Sequence, residues 1–488
     1  MSESASVPFA ETKAPEAPER LRRGALGLID ISASTMANIG PAYSFYFSFG
    51  FLVFTAGIAA PLTIVAAIIA VALLGNTLAQ FSRAHPSTGG FITFVGKTFG
   101  GTSAVTTALL CGAGYIIAIS SVLAVSGGFL STTLQYYFNW NVPWIIFSVL
   151  LTGGAVVMML RGVGVSTRLA GFFFGFEMLV LIVVSVATLV KNGGHLSLAA
   201  FEPKNIHGGF SGLAAGFPLA VYLFIGWENS AALAEETNNP RRNVPRAVFL
   251  SVAMMGVGYL LFAYATVSGF HDNGTALTGA TIPFITVAHG ALAAFALFAY
   301  LAGLTSTLGV LIAAVNSQAR LIFNAGREGL LPRWIGRVEP GRQTPRNAIF
   351  AFTGIGGLII LVWCVLHLIG GAKHGSMSPY NFFNDSGTMG TMLVLVVYFL
   401  ANLALPFYYR RYRPDEFSPV KHVVLPVLGL VAVGIPMYYL VKPGQPAPLD
   451  WFPYAGLAII TVSVVYSMIL VRRDPGLADR VGSIVADE

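Results

Sequence analysis

Long apolar stretches recur along the whole chain, and short polar or charged segments separate them. An α-helix needs roughly 20 consecutive apolar residues to cross the hydrocarbon core of a bilayer. Twelve stretches come close to that length. The pattern therefore predicts twelve transmembrane helices, at residues 26–54, 59–81, 102–137, 142–160, 169–190, 212–234, 247–270, 292–323, 348–369, 387–408, 423–441 and 451–471.

The composition agrees with a membrane protein and excludes an ordinary water-soluble one. Of the 488 residues, 55% are hydrophobic and only 10% are charged, whereas soluble domains carry roughly 25% charged residues. Both cysteines, Cys111 and Cys364, fall inside predicted spans, so we expect no disulfide framework. Residues 1–23 are polar and contain proline; we expect a disordered cytoplasmic segment there and no cleaved signal peptide.

The distribution of basic residues predicts the orientation. Placing the N-terminus in the cytoplasm puts 24 of the 28 Lys and Arg residues on the cytoplasmic side, as the positive-inside rule requires. With an even number of spans, both termini are cytoplasmic. The net charge of +7 is then a topology signal and does not point to nucleic acid. The predicted surroundings are the lipid bilayer of the cytoplasmic membrane.

Two spans contain a break in their helical pattern. The segments TMANIGPAYSFYF (35–47) and FIGWENSAAL (224–233) place glycine and polar residues in the middle of the first and the sixth span. Gly40 and Pro41 make unwinding over residues 39–42 cheap, because both disfavour a continuous helix. Non-helical backbone at membrane depth is tolerated only where it is buried in protein or lines a cavity. The two breaks therefore predict a binding site.

The spacing of the two breaks predicts an internal repeat. Five spans separate the start of the first span from the start of the sixth, so two such units would enter the membrane from opposite sides. The predicted fold is all-α and integral to the membrane, with twelve helices, a five-plus-five inverted repeat and broken first and sixth helices. We expect repeats at 24–200 and 201–410, two trailing spans at 411–472 and a cytoplasmic tail at 473–488.

The segment FIGWENSAALAEETNNPRRNVPRAV (224–248) closely resembles the sixth-span signature of the amino acid-polyamine-organocation transporters. The segments HPSTGGFITFVGKTFG (85–100) and NSQARLIFNAGREGLLPRWIGRV (316–338) are similar to that family in the same order. The resemblance covers about residues 24–410. It implies the five-plus-five fold with two trailing helices, and secondary transport of amino acids or related amines.

The resemblance also implies where a small-molecule substrate binds. In the family, backbone N–H groups at the first break hold the substrate's carboxylate, and carbonyl groups of both breaks hold its amino group. Tyr222 occupies the place of the family's gating aromatic residue, and Trp227 is a second aromatic candidate for covering the substrate. The matching positions here are Ala37, Asn38, Ile39, Gly40, Ala42 and Tyr43 at the first break, with Phe224, Ile225, Gly226, Trp227 and Ser230 at the second.

One residue departs from the family pattern at the first break. The family's amino acid sites carry a small Gly-x-Gly segment there, whereas this chain has Pro41, which has no N–H group to donate. Amino acids and amines without a carboxylate therefore both stay open as substrates.

Four residues inside the spans are candidates for ion coupling. Glu177 lies near the middle of the fifth span, where several family members carry a lysine, and Glu228 follows the second break. Intramembrane carboxyl groups often relay protons; the alternative for Glu177 is a hydrogen bond to a neighbouring helix without a transport role. Thr305 and Ser306 resemble sodium ligands of related symporters, although such hydroxyls also join helices. Proton and sodium both stay open, and no other cofactor is expected.

The charged residues after the sixth span predict a gate. Ion pairs at the cytoplasmic end of a span can open and close, and the alternative is solvated positive-inside charge. The candidate gate residues are Glu235, Glu236, Arg241, Arg242 and Arg246.

Enzyme chemistry finds little support in the sequence. The segment GGFITFVGKT has five residues between Gly90 and Gly96, where a phosphate-binding loop needs four. No His-Glu-x-x-His, Cys-x-x-Cys or Gly-x-Ser-x-Gly motif occurs. We therefore expect no enzyme and no metal centre. An intramembrane enzyme is the rival class to a transporter, and a channel is the third. The oligomeric state stays open.

Overall fold

The computed structural model describes residues 24–291, 295–339, 344–369, 377–444 and 450–480. The predicted N-terminal segment 1–23 and the end of the predicted tail, 481–488, lie outside this range. Within it, the chain is helical and contains no β-strand. A single β-bridge joins Leu26 to Thr237.

The described helices follow one another through short connections. They are α1 (Leu28–Ile39), α2 (Pro41–Ala56), α3 (Ala60–Ala84), α4 (Phe91–Phe99), α5 (Gly101–Phe138), α6 (Trp144–Leu160), α7 (Val163–Lys191), α8 (Phe210–Tyr222), α9 (Asn229–Ala232), α10 (Pro240–Gly269), α11 (Gly274–Gly279), α12 (Pro283–Ala291), α13 (Ala296–Arg327), α14 (Arg346–Ile369), α15 (Pro379–Tyr412), α16 (Leu425–Val441), α17 (Phe452–Arg473) and α18 (Leu477–Arg480).

The apolar helices make this a multi-pass membrane protein. In the described ranges, nine helical segments are long and apolar enough to cross a membrane, and one of them, Leu28–Ala84, is 57 residues long and includes α1, α2 and α3. The shorter apolar helices α6 and α8 lie where the fourth and sixth spans were predicted. Helical residues occur in all twelve predicted stretches, and the number of crossings stays a prediction.

The broken helices lie at the centre of the packing. Helix α1 packs against α7, α10 and α13, while α2 packs against α8 and α13. Around them, α5 packs along α15 and α3 along α10. The outer helices α16 and α17 bury under a fifth of their apolar segments inside the protein, so most of their apolar surface lies on its outside. Gly40 and Gly226 at the two breaks are both buried.

Candidate functional site

The first break is narrower than the sequence indicated. Helix α1 ends at Ile39 and α2 begins at Pro41, so only Gly40 leaves the helical conformation, rather than residues 39–42. Gly40 has φ +62°, a left-handed conformation that glycine adopts without strain. A Cβ atom added there would lie 2.0 Å from Val310 Cγ2 on α13. The break thus depends on both the backbone freedom and the small size of glycine.

The second break is longer and packs against the first. Helix α8 ends at Tyr222 and α9 starts at Asn229, with turns between them and Gly226 at φ +108°. The Asn38 side-chain amide donates a hydrogen bond to the Gly226 carbonyl oxygen over 3.3 Å. The two breaks therefore face each other directly.

A small cavity of about 40 Å³ lies between the breaks; we call it the central cavity. Six of the predicted substrate-site residues line it, namely Asn38, Ile39, Tyr43, Tyr222, Ile225 and Gly226. The other lining residues were not predicted from the sequence; they are Ser44, Ala118, Ile119, Val122, Val310, Ala314 and Gln318.

A neighbouring cavity of about 10 Å³ shares Asn38 and Gln318 with the central cavity and includes Glu228 and Tyr115 in its lining; we call it the lower cavity. Gln318 Oε1 is buried without a hydrogen-bond partner in the described part of the protein. The polar segment Asn316–Ser317–Gln318 inside a predicted span was the sequence signal for this position. Gln318 therefore adds a free acceptor between the two cavities.

The remaining predicted substrate-site residues line neither of these two cavities. Trp227 is 1% exposed and packs against Tyr398 with ring centroids 5.5 Å apart. Phe224 packs edge-on against Tyr259 at 5.3 Å. Both rings are core residues in this conformation. The full set outside both linings is Ala37, Gly40, Ala42, Phe224, Trp227 and Ser230.

Side chains of this protein occupy the N-terminus of α2. The Ala42 N–H donates to Glu177 Oε2 over 3.0 Å, and the Tyr43 N–H donates to Ser306 Oγ over 2.9 Å. Helix N-termini favour negative charge and hydrogen-bond acceptors. Glu177 is fully buried, and its other oxygen, Oε1, has no hydrogen-bond partner among the described residues. Two of the four predicted coupling residues, Glu177 and Ser306, thus contact the first break.

The two hydroxyls proposed as sodium ligands engage different partners. The Thr305 hydroxyl donates to the Leu301 and Ala302 carbonyl oxygens of its own helix, whereas Ser306 binds the start of α2. Ser306 therefore lies at the first break, whereas the Thr305 hydroxyl is hydrogen-bonded within its own helix.

Glu228 stabilises the second break. Its carboxyl group accepts hydrogen bonds from the Tyr115 hydroxyl over 2.8 Å and from the Gly226 N–H over 3.2 Å. The backbone groups that the break frees from helical pairing are thus partly satisfied by a side chain two residues away. Glu228 also places a carboxyl group in the lining of the lower cavity.

The glutamates predicted for the gate form two ion pairs with α13. Glu236 Oε2 lies 2.5 Å from Arg320 Nε, with both side chains 1% exposed, and Glu235 Oε2 lies 2.8 Å from Arg327 Nη2. We call these the inner ion pairs. The Leu26 N–H donates to the Glu236 carbonyl oxygen over 3.0 Å, which places the pairs at the end of the bundle where α1 begins.

The predicted gate arginines lie elsewhere. Arg241 donates to the Arg83 and Ala84 carbonyl oxygens, and Arg242 and Arg246 are exposed. In the sequence, Arg320 and Arg327 contribute only to the positive-inside bias. Arg320 falls inside the predicted span 292–323, and a charge in that position was the signal for its role.

An aromatic cluster covers the central cavity at the end away from the inner ion pairs. The Tyr43 and Tyr222 hydroxyls lie 3.1 Å apart, and both rings pack edge-on against Phe383 of α15, at centroid distances of 5.4 and 5.7 Å. Phe47 joins the cluster through Tyr43 and Phe383. Aromatic rings therefore cover one end of the central cavity. The inner ion pairs lie between its other end and the end of the bundle where α1 begins.

No group of His, Cys, Asp and Glu residues that suits a metal ion occurs in the ranges the structure describes. A buried cavity between two broken helices is typical of a membrane transporter.

Comparison with known proteins identifies the family. The model of the amino acid permease family matches residues 26–471, and the chain belongs to this family. The resemblance found in the sequence is thereby confirmed.

Individual relatives are more distant. The chain is 22% identical to an uncharacterised amino acid permease of Bacillus subtilis, over 59% of this chain and 65% of that protein. It is 27% identical to the Asc-type amino acid transporter 1 of Mus musculus, over 72% and 64%. The chain thus spans just under two thirds of the length of these relatives.

A solved structure supports the fold. The crystal structure of a manganese transporter mutant from Eremococcus coleocola superimposes with a TM-score of 0.54 at 11% identity, covering 91% of this chain and 95% of that one. At this identity the likeness concerns the fold alone.

Proposed function

We propose that this protein is a secondary active transporter that moves amino acids or related amines across the cytoplasmic membrane by alternating access. The observation that carries the proposal is the central cavity, which lies between two helix breaks that contact each other through Asn38 and Gly226. Membership of the amino acid permease family supports the substrate class.

Closure at both ends supports alternating access. With the N-terminus in the cytoplasm, the inner ion pairs form the cytoplasmic gate and the aromatic cluster forms the extracellular gate. Opening either one alone would expose the cavity to one side of the membrane. Twelve spans, cytoplasmic termini and a five-plus-five inverted repeat complete the proposal, and the helix breaks at α1/α2 and α8/α9 support the repeat.

A proton is the proposed coupling ion, and Glu177 is its carrier. The described residues give Glu177 no salt-bridge partner, although its carboxyl group is completely buried. A carboxylate without a basic partner at membrane depth is expensive even beside a helix N-terminus, so taking up a proton there lowers that cost. The hydroxyls of Thr305 and Ser306 have different partners, which favours the proton over sodium. Sodium coupling and substrate exchange are the alternatives.

The test uses the purified protein in proteoliposomes. An imposed pH gradient, alkaline inside, should drive accumulation of a labelled substrate above its external concentration, and a sodium gradient alone should not. Accumulation with sodium alone would replace the proton by sodium. A flux that neither saturates nor accumulates substrate would overturn the transporter proposal in favour of a channel.

Glu177→Gln separates coupling from binding. This variant keeps an oxygen acceptor for the Ala42 N–H but cannot carry a proton as a carboxyl group does. We expect loss of proton-driven accumulation, while exchange of labelled for unlabelled substrate continues. Accumulation equal to that of the wild type would remove Glu177 from the coupling mechanism.

A further inference from the structure

The N-terminus of α2 has no N–H group left for a ligand. Pro41 has none to donate. The Gly40 N–H donates to the Met36 carbonyl oxygen over 3.0 Å, the Ala42 N–H binds Glu177, and the Tyr43 N–H binds Ser306. The first four donors of a helix are the ones that normally remain available for an anion. Here each position is accounted for within the protein.

Glu177 already supplies the anion that this helix end favours. Its carboxyl group lies at hydrogen-bond distance from Ala42 on the first turn of α2, where the helix dipole stabilises negative charge. A ligand carboxylate at the same place would have to displace Glu177 and would meet a second carboxyl group in a buried site. Like charges in such an environment repel strongly.

The lining of the two cavities suits a cation instead. None of the described residues that line them is a lysine or an arginine, so a carboxylate finds no basic partner there. Acceptors are present: Gln318 Oε1 is buried and unpaired, and Glu228 lies in the lower cavity. The Tyr222 ring borders the central cavity, and aromatic faces attract ammonium groups.

We propose that the substrate is an organic amine without a carboxylate, and that Glu177 takes the place at the first break that a substrate carboxylate would otherwise occupy. The ammonium group binds to the acceptors between the cavities, with Gln318 Oε1 as the acceptor that has no partner in the protein. This inference rests on the proposed transport function and narrows its substrate class.

The first test compares amino acids with the amines formed from them by decarboxylation. Leucine and isoamylamine, phenylalanine and phenethylamine, and ornithine and putrescine are such matched pairs. Ligands that bind the folded state raise its melting temperature, so thermal unfolding of the detergent-purified protein reports binding of each compound. We expect at least one amine to bind at least about tenfold more tightly than its amino acid. A tenfold ratio of affinities is the scale of one hydrogen bond to a charged group.

Two outcomes contradict the inference in distinguishable ways. If amino acids bind as tightly as their amines, or more tightly, the substrate class is wrong while transport remains supported. If neither series changes the melting temperature and neither is accumulated in proteoliposomes, the proposed function fails together with the inference.

A pair of variants tests the role of Glu177. Glu177→Ala frees the Ala42 N–H, so we expect the affinity for an amino acid to rise at least about tenfold relative to its amine. Glu177→Gln is the matched control, because its amide oxygen still accepts that N–H and the preference for the amine should persist. An unchanged preference in Glu177→Ala would refute the blocking role. If that variant does not fold, the wild-type comparison of matched pairs decides the question.

Discussion

Replacing Glu236 with glutamine removes one charge from the more deeply buried of the inner ion pairs while keeping the size of the side chain. Glu236 and Arg320 are each 1% exposed, and their closest atoms lie 2.5 Å apart. In the variant, Arg320 would remain buried without its counter-charge, because Asn316 is its other hydrogen-bond partner and is neutral. Opening the proposed gate would hydrate that charge, so the open state becomes more favourable.

The size of the effect follows from burial. Removing one partner of a buried ion pair costs about 3–5 kcal/mol. Because Asn316 and the new amide oxygen still accept hydrogen bonds from Arg320, we take the lower end, about 3 kcal/mol. Each 1.4 kcal/mol changes an equilibrium constant about tenfold. The equilibrium between closed and open gate should therefore shift by roughly 100-fold toward the open state.

Cysteine accessibility measures this shift. Ser317 lines the lower cavity and is 2% exposed, so Ser317→Cys reports access from the gate. Replacing the two buried native residues, Cys111 and Cys364, with alanine provides the background. A membrane-impermeant thiol reagent is applied to the cytoplasmic face, which is accessible in inside-out vesicles. It should label Ser317→Cys about 100-fold faster when Glu236→Gln is present. The labelling rate of protein whose gate is open sets the upper limit.

An exposed ion pair supplies the control. Arg413 and Glu416 lie 2.6 Å apart, but 36% and 55% of their side chains are exposed. Such pairs contribute about 0–1 kcal/mol, so Glu416→Gln should change the labelling rate less than about fivefold. Equal labelling rates in Glu236→Gln and Glu416→Gln would refute the idea that the buried pair holds the gate closed.

Two further predictions use matched pairs of substitutions. Gly40→Ala should lower the free energy of unfolding by more than about 3 kcal/mol, since left-handed strain of about 1–2 kcal/mol adds to a clash with Val310, 2.0 Å from the new Cβ. Gly24→Ala has the same φ of +62° but nothing within 4 Å, so thermal unfolding should show the strain alone; equal losses would contradict the clash. Ser306→Ala should destabilise the protein by about 1–3 kcal/mol by leaving a buried N–H at the start of α2 unpaired. Thr305→Ala removes a hydroxyl that binds its own helix and should change stability by less than about 1 kcal/mol. The reverse order would indicate that Thr305 has a partner of its own in the site.

Local chemistry explains why the breaks were predictable. Gly40 and Pro41 disfavour a helix through their own backbone properties, and the apolar residues around them identify the membrane-spanning segment. The extent of unwinding was less predictable: a single residue, Gly40, suffices in the first break, because Pro41 is well tolerated as the first residue of a new helix.

The partners of the charged residues were not predictable in the same way. Glu235 and Glu236 were selected as gate residues from their position after the sixth span, but their partners Arg327 and Arg320 lie 92 and 84 residues further along the chain. Which face of α13 meets the second break depends on the packing of the whole bundle. Gln318 was missed for the same reason.

The sequence by itself determined the apolar spans, the places where two of them break, the family and the presence of Glu177 inside a span, because each is written in local composition or in a continuous motif. Only the tertiary structure decided that Glu177 binds the Ala42 N–H and that Arg320 pairs with Glu236. Those contacts join residues 135 and 84 positions apart. Their geometry arises from helix packing, which brings distant buried polar groups together because an unpaired one inside a membrane protein is costly.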